Sequence, residues 1–578
     1  MCGIAGIIGG QASAEAAQAM SARLAHRGPD GDGIWIGAGA AIAHRRLAIL
    51  DVSAAGAQPM RSAAHVLTYN GELYNFHALR ARLHVPLRSN CDTEVLLQLL
   101  VRDGKRCLSE LVGMFAFAVW DDERRELFAA RDRLGIKPFY YRVLADGIAF
   151  ASELKALLVL GTPPIDKSAV RDFLFHGYVP APKTIYQGIA KLPAGHSLSW
   201  RAGEIHIERY WQPSLEINLR DREASLGQLD ALLRVVVPEH TLSDVPVGVF
   251  LSGGIDSALT AYYLDGPRTF TLGFDAAERS EADAARALAA HLGTRHTAMS
   301  ATSADLDEAL DAIPQLFDEP FGDSAAWSNY LIAGCARREV TVALSGEGGD
   351  EIFCGYPRYW AGIGARSSSL NRALADWLPP LSRFGQSMQR RAWTGLTGFS
   401  AALGALTAVQ MDALLDPAWL ESDYDYHWFY RQFWRESLDP LAQLRWLDIN
   451  TNLPEGLLVK VDRTSMAHSL EVRPPLLDHR LVEFMLGVDP RLLADQNARQ
   501  GKLLVRELMR PRLPPGHLER PKSGFGLPAH RWIRRHPHMW KAAIGRLMER
   551  GVLRRPVSIE FRRAWSLLVL DRWFSAFT

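Results

Sequence analysis

Cysteine is scarce in this chain, five in 578 residues. Cys2, Cys91, Cys107, Cys335 and Cys354 are odd in number and include no C-x-x-C pair, which argues against a disulfide framework and a thiolate zinc site. Free thiols in a reducing compartment are expected. Charge of one sign is lacking too: 65 Lys and Arg face 64 Asp and Glu, a formal net charge of +1. No global field therefore draws the chain to nucleic acid or to an anionic membrane. No apolar run is long enough to cross a bilayer, and the opening MCGIAGIIGG has no basic flank of the kind that begins a secretory signal, so the cytoplasm is the expected location. G-x-x-x-x-G-K-[ST] is missing, so a Walker A loop is excluded. We find no internal repeat and no low-complexity tract.

What is present is ordinary globular material, 48% hydrophobic and 22% charged. The length is enough for roughly four domain-sized units, or two or three if they are large α/β units. Up to Trp211 the pattern is of short strands, Ala40 to Ala43, His65 to Tyr69, Phe115 to Trp120, Glu126 to Ala130 and Ile148 to Ala151. Gly and Asp turns separate them, and helical patterns near Thr93 to Val101 and Glu153 to Leu160 interrupt them. This predicts an α+β layered domain over 1–211. Gln212 to Arg222 is polar and aperiodic and reads as a linker. From 223 to 578 the pattern changes. Val247 to Leu251, Thr269 to Phe274 and Val340 to Leu344 read as strands, with helices at Ala258 to Leu264 and Ala282 to His291. Such alternation predicts a parallel sheet covered by helices, with ligands at the carboxyl ends of its strands. Beyond Tyr356 the chain reads as mostly helical, rich in Trp and Arg.

The sharpest local signal is Val247 to Ser257, VGVFLSGGIDS. A β-branched apolar run breaks into Ser252-Gly253-Gly254 and then into a helical pattern, which aims backbone N–H groups and a helix N-terminus at one point, a cradle for pyrophosphate. A bare S-G-G is most often only a turn; the full S-G-G-x-D-S after a buried strand favours the phosphate reading. Val340 to Glu351, VTVALSGEGGDE, repeats the logic. Asp256 and Asp350 are candidate Mg²⁺ ligands, since that ion takes one or two carboxylates plus phosphate oxygens and water. Either one alone suits a helix cap. As a pair in matching loops they favour the metal.

S-G-G-I-D-S, S-G-E-G-G-D-E and Ser469 to Asp478, SLEVRPPLLD, in that order, resemble the synthetase domain of glutamine-dependent asparagine synthetases. The resemblance implies an α/β fold of the adenine nucleotide α-hydrolase (PP-loop) type. It also implies a reaction in which ATP adenylates a carboxylate, releasing diphosphate, and ammonia attacks the acyl-adenylate to give amide and AMP. By similarity Leu251, Ser252, Gly253, Gly254, Asp256 and Ser257 hold the nucleotide phosphates, Leu272 lies near the adenine, and Ser345 and Gly346 contact the nucleotide. Glu347 matches a catalytic glutamate that takes a proton from the attacking ammonia. Lys522, in PKSGFG, matches a lysine that stabilises the adenylation transition state.

In the first half, Cys2 follows the initiator methionine, so removal of Met1 puts a thiol and an α-amine of reference pKa about 7.7 to 8.0 on one residue, an N-terminal nucleophile. A small core cysteine is an equal reading of that position alone. His26 to Asp30 (HRGPD), His44 to Asp51, Tyr69 to Asn75 (YNGELYN) and Cys91 to Glu94 (CDTE) resemble class II glutamine amidotransferases, which implies the four-layer αββα N-terminal nucleophile fold. The resemblance implies that Arg46 pairs with the glutamine α-carboxylate and Asp92 with its ammonium. It further implies that Asn70 and the Gly71 N–H form the oxyanion hole and that Glu72 helps bind the amine. His44 is given no catalytic role.

Ammonia released into neutral water would be mainly protonated, so a buried passage between the sites is expected. Arg131 to Tyr141 and Ala151 to Leu157 match family segments on the glutaminase side of it. Relatives that close a β-lactam ring carry tyrosine where this chain has Glu347 and lack the nucleophile, as lasso-peptide cyclases lack a working glutaminase; Glu347 and Cys2 favour amide transfer. The expected partners are glutamine, ATP and aspartate. Trp327-Ser328-Asn329 departs from the Ile-Pro-Thr common near the acceptor pocket, which keeps a sugar uronate, a peptide or another carboxylate open as acceptor. As a core filler, however, Trp327 is ordinary. Relatives often dimerise through the glutaminase half.

Overall fold

The computed structural model describes residues 2–274, 279–364, 395–404, 406–520, 529–555 and 561–577. The first half contains two six-stranded sheets. In one, Gly3–Ile8 lies between Ala40–Arg46 and Gly147–Ala151, antiparallel to both. In the other, Gly113–Asp121 lies between His65–Leu73 and Glu126–Arg131. The period-2 alternation explains how both faces of each sheet are used. Ile4 and Ile8 meet Trp120, Leu127 and Leu198 of the facing sheet in one cluster. Ala5 and Ile7, one residue out of phase, pack with Met20 and Leu24 beside the Ala14–Ala22 helix. On the far side, Leu67, Phe115 and Phe117 cluster with Val95, Leu96 and Leu99 of the Asp92–Asp103 helix. Helix, sheet, sheet, helix is the expected αββα order.

The expected strands and helices of this half are present, with the helix near Glu153 formed as Leu154–Leu157 and continued by a 3₁₀ turn, Leu158–Leu160. The polar stretch read as a linker carries no helix or strand from 212 to 218. It is nonetheless pinned to the second half: Asn218 N–H donates to Gly487 O at 3.1 Å and Asp489 N–H to Leu219 O at 2.9 Å. Its last residues start a helix, Arg222–Glu239, capped by the Asp221 side chain, which accepts from Ala224 N–H.

The second half is built on a five-stranded sheet in which every pairing is parallel, ordered Arg295–Ala301, Arg268–Phe274, Val247–Phe250, Val342–Leu344, Glu471–Arg473. Order reverses between Val247–Phe250 and Val342–Leu344, the topological switch point where such sheets place ligands. Both glycine loops leave the carboxyl ends of these two central strands. Beyond Tyr356 the described chain is helical apart from the Glu471–Arg473 strand and its connections. Among the described residues no helix is long and apolar enough to cross a membrane.

Candidate active site

Cys2 precedes the central strand Gly3–Ile8 and is buried, 8% exposed. Its N–H donates to Asn70 Oδ1 at 2.8 Å. Asn70 and Gly71 sit on His65–Leu73 of the facing sheet, so the candidate nucleophile and the candidate oxyanion donors come from opposite layers of the sandwich. Among the described residues Asn70 Nδ2 has no hydrogen-bond partner and is buried. A Cβ at Gly71 would lie 2.3 Å from Met114 O and 2.8 Å from Phe115 Cα, so only glycine fits between the strands there. Cys2, Arg46, Gly71, Glu72, Asp92 and Glu471 line one pocket.

The pocket is shaped electrostatically. Asp92 opens the Asp92–Asp103 helix and accepts from Tyr69 OH at 2.7 Å and Leu73 N–H at 3.0 Å. Burial pushes its carboxyl up to about 6, although both hydrogen bonds favour the anion. Arg46 ends the Ala40–Arg46 strand and ties down the loop after it, donating to Ser53 O at 2.7 Å and to Asp51 O. Burial raises the Cys2 thiol above its ordinary value, which favours the protonated sulfur and calls for a nearby base. His44 lies outside this chemistry: its Nδ1 pairs with Thr68 Oγ1 at 3.1 Å, and burial holds its pKa down to about 3.

Glu72, expected to help bind the substrate amine, lines the Cys2 pocket and also reaches the other half of the chain. Its Oε2 accepts from Arg473 Nη2 at 2.9 Å, across to the other half of the chain, while Oε1 is buried without a partner among the described residues. Glu471 reaches the same pocket from that half. Burial opposes it, but Arg473 and Lys137 draw the Glu471 carboxyl below its ordinary range.

At the switch point the two glycine loops touch. A Cβ at Gly346 would lie 2.8 Å from Ser257 N, and one at Gly349 2.5 Å from Asp256 Cγ. Leu251 N–H joins the loop base to Phe270 O at 2.8 Å. Inside the first loop, Ser257 Oγ accepts from Ser252 N–H at 3.1 Å and donates to Gly254 O at 3.1 Å. Gly254 caps the Ile255–Tyr262 helix, leaving the Gly253-Gly254 turn at its N-terminus. Ser345 Oγ is buried without a partner among the described residues. Leu272 is buried in an apolar cluster with Phe270 and Ala343.

Asp256 and Asp350 converge on one point, held there by Lys502 Nζ, which bonds Asp256 Oδ2 and lies 2.6 Å from Asp350 Oδ1. Two carboxylate oxygens facing one cation suit a divalent ion that also takes phosphate oxygens. Sequence reasoning missed Lys502: it heads its helix in the left-handed region, φ 61°, and no motif marks it. Glu347 is half-buried. Burial, with Asp323, Asp350 and Asp256 nearby, raises its carboxyl above the ordinary range, Lys460 opposing. Lys460 Nζ lies 2.9 Å from Asp323 Oδ2. Lys522 lies outside the described residues.

Between the sites, the two segments matched to the interface do meet the second half. Arg27 Nη1 and Nη2 pair with Asp462 Oδ2 and Oδ1 at 2.8 and 3.1 Å, and Arg27 Nη1 with Glu153 at 2.7 Å. Glu153 also holds Arg463 at 2.7 Å. A cavity beside this network is lined by Arg131, Ile136 and Tyr140 from one half and Glu455, Val459 and Arg463 from the other. Trp327 does what a core filler does: it is fully buried, edge-on to Trp532 and Trp565 at 5.5 and 4.9 Å.

Comparison with known proteins agrees with this geometry. Residues 1–211 match the glutamine amidotransferase domain family and residues 228–566 the asparagine synthase family. A putative glutamine-hydrolysing asparagine synthetase of Mycobacterium tuberculosis H37Rv is 33% identical over 100% of this chain and 97% of its own. Glutamine-hydrolysing asparagine synthetase 1 of Bacillus subtilis 168 is 32% identical over 93% and 89%. Asparagine synthetase B of Escherichia coli K12 is 34% identical over 62% and 65%. The chain belongs to the asparagine synthase family and is a glutamine-dependent ligase with a glutamine amidotransferase domain.

Proposed function

We propose that this enzyme makes asparagine from aspartate, using ATP and the amide nitrogen of glutamine, with the glutaminase over 1–211 and the synthetase over 223–578. The observation that carries the reading is the pairing of a pocket lined by Cys2, Arg46, Gly71, Glu72 and Asp92 with two touching glycine loops at a parallel-sheet switch point. At the first site the α-amine of Cys2, freed of Met1, takes the thiol proton, and the sulfur attacks the glutamine Cδ. Asn70 Nδ2 and the Gly71 N–H stabilise the oxyanion, ammonia leaves, and water releases glutamate from the thioester. Arg46 and Asp92 hold the substrate's α-carboxylate and ammonium.

At the second site the Ser252 to Ser257 loop, with Leu251 at its base, and Ser345 and Gly346 hold ATP, with Leu272 on the adenine side. The aspartate side-chain carboxylate attacks the α-phosphorus and diphosphate leaves. Asp256 and Asp350 would hold Mg²⁺, which when bound would supply positive charge beside the phosphates. Lys522 steadies the charge on the phosphorus oxygens. Ammonia then attacks the β-aspartyl-AMP carbonyl, Glu347 takes its proton, and AMP leaves. A carboxyl raised toward neutrality is the better proton acceptor for that step. The interface cavity supports a buried ammonia passage. Burial of Trp327 removes the main sequence argument for an unusual acceptor. A homodimer through the glutaminase half is the proposed assembly.

The test is Mg²⁺-dependent formation of AMP and asparagine with and without aspartate, in the unaltered enzyme and in C2A. We expect one AMP per asparagine, only with aspartate. C2A should lose glutamine-driven synthesis and keep ammonia-driven synthesis. Glutamine hydrolysis without aspartate-dependent AMP would reject aspartate as acceptor, and loss of both activities in C2A would reject two separate sites.

A further inference from the structure

Arg473 touches both sites. Its side chain is fully buried and clamped: Nε donates to Glu471 Oε1 at 2.6 Å, Nη1 to His240 O at 2.9 Å and Leu242 O at 2.6 Å, and Nη2 to Glu72 Oε2 at 2.9 Å. Its backbone oxygen accepts from Ser345 N–H at 2.9 Å, where the parallel pairing of Leu344 with Arg473 ends and the second glycine loop begins. One residue therefore separates the nucleotide loop from a carboxylate of the glutaminase pocket.

We propose that Arg473 is a positioning residue that couples the two sites, fixing the Glu72 carboxylate for the glutamine ammonium according to the state of the Ser345–Gly346 loop. This rests on the amine-binding role the family resemblance implies for Glu72 and on the nucleotide-binding role proposed above for that loop. The physical basis is the cost of error. A guanidinium held by four acceptors cannot shift without its backbone, and because burial pushes the Glu72 carboxyl well up while Arg473 opposes this, a displaced Arg473 would leave Glu72 to take up a proton and lose its attraction for an ammonium. Glu72 has only one of its oxygens satisfied by protein among the described residues, and Oε1 is left for an incoming N–H donor. ATP that holds Ser345 in place holds the Arg473 carbonyl, and with it the guanidinium, so less ordering remains for glutamine binding. The link is reciprocal: glutamine must tighten ATP by the same factor.

The experiment is calorimetric titration of glutamine into full-length C2A protein, which binds without turning over, with and without saturating ATP and Mg²⁺. ATP should tighten glutamine by about fivefold or more, the lower end of ordinary coupling. In C2A carrying R473K, which keeps the charge but loses the fork, the factor should fall to about one. E72Q, which keeps the shape of the glutaminase side and removes its charge, should do the same and separates loss of the link from a folding defect in R473K. An ATP factor that persists in both variants, or that is absent from the parent, overturns the coupling while asparagine synthesis stands. A parent that does not bind glutamine removes the functional reading and the coupling with it.

Discussion

At the scale of single residues, the glutaminase pocket makes the sharpest demands. Asp92 carries its proton with a pKa of about 6 because burial outweighs two hydrogen bonds. In the role proposed for Asp92 only the anion attracts the glutamine ammonium, so below about pH 6 the group is neutral and the attraction is lost. The KM for glutamine should therefore rise as pH falls through 6, while the KM for ammonia, which bypasses this pocket, should show no such step. D92N should raise the glutamine KM at least tenfold at pH 7.5 and abolish the step; a step that persists in D92N assigns it to another group. Gly71 has no room for a methyl group against Met114 O. G71A should lower glutamine-driven kcat about 10² to 10³-fold, the range for loss of an oxyanion donor, and unaltered turnover would place the hole elsewhere. Arg46, Asn70, Glu72 and Asp92 were all legible as members of one motif set. Arg473 and Lys502 were not, because a buried arginine and a bridging lysine are made by tertiary contacts between distant segments and leave no local pattern.

Secondary-structure elements were readable in proportion to their periodicity. The long strands of the sandwich announce themselves because alternate residues feed two different cores, as Phe117 and Ala118 do. Gly3–Ile8 itself was passed over, since with two glycines it shows no polar face. Arg295–Ala301 is a polar edge strand, paired on one side only, and its composition hides it. Glu471–Arg473 is three residues long, too short for any period, although it completes the sheet and brings Arg473 to both sites. The glycine loops at the strand ends are legible in the sequence, but their mutual contact is not. That contact yields a prediction: the methyl group of G349A would meet Asp256 Cγ at 2.5 Å. This variant should weaken ATP-dependent AMP formation by an order of magnitude or more while leaving glutamine hydrolysis measurable. Unchanged AMP formation would show that the two loops do not have to touch for catalysis.

For the whole molecule, the question is what keeps two differently built halves in register. The buried set Arg27, Glu153, Asp462 and Arg463 crosses the interface with pairs of 2.7 to 3.1 Å. Breaking a buried pair from one side typically costs about 3 to 5 kcal/mol, because the remaining charge stays desolvated. D462N should therefore lower the thermal midpoint clearly, with glutamine-driven synthesis falling further than glutamine hydrolysis. An unchanged midpoint would mean that the network adds no stability. Arg27 Nε also donates to Cys2 O at 3.1 Å, so the same network touches the nucleophile. The polar segment before Arg222 belongs to this scale as well: its sequence reads as a free connection, yet its backbone is bonded to Gly487 and Asp489.

In the proposed reaction one chain moves nitrogen from its own glutaminase to its own acyl-adenylate. The measurement is to supply glutamine labelled with ¹⁵N at the amide, together with aspartate, ATP, Mg²⁺ and excess unlabelled ammonium, at subsaturating pH for free ammonia, and to determine the label in the asparagine amide. The account predicts asparagine labelled nearly in full, with AMP formed one for one. Label diluted to the composition of the bulk ammonium, or confined to free ammonia, would contradict it.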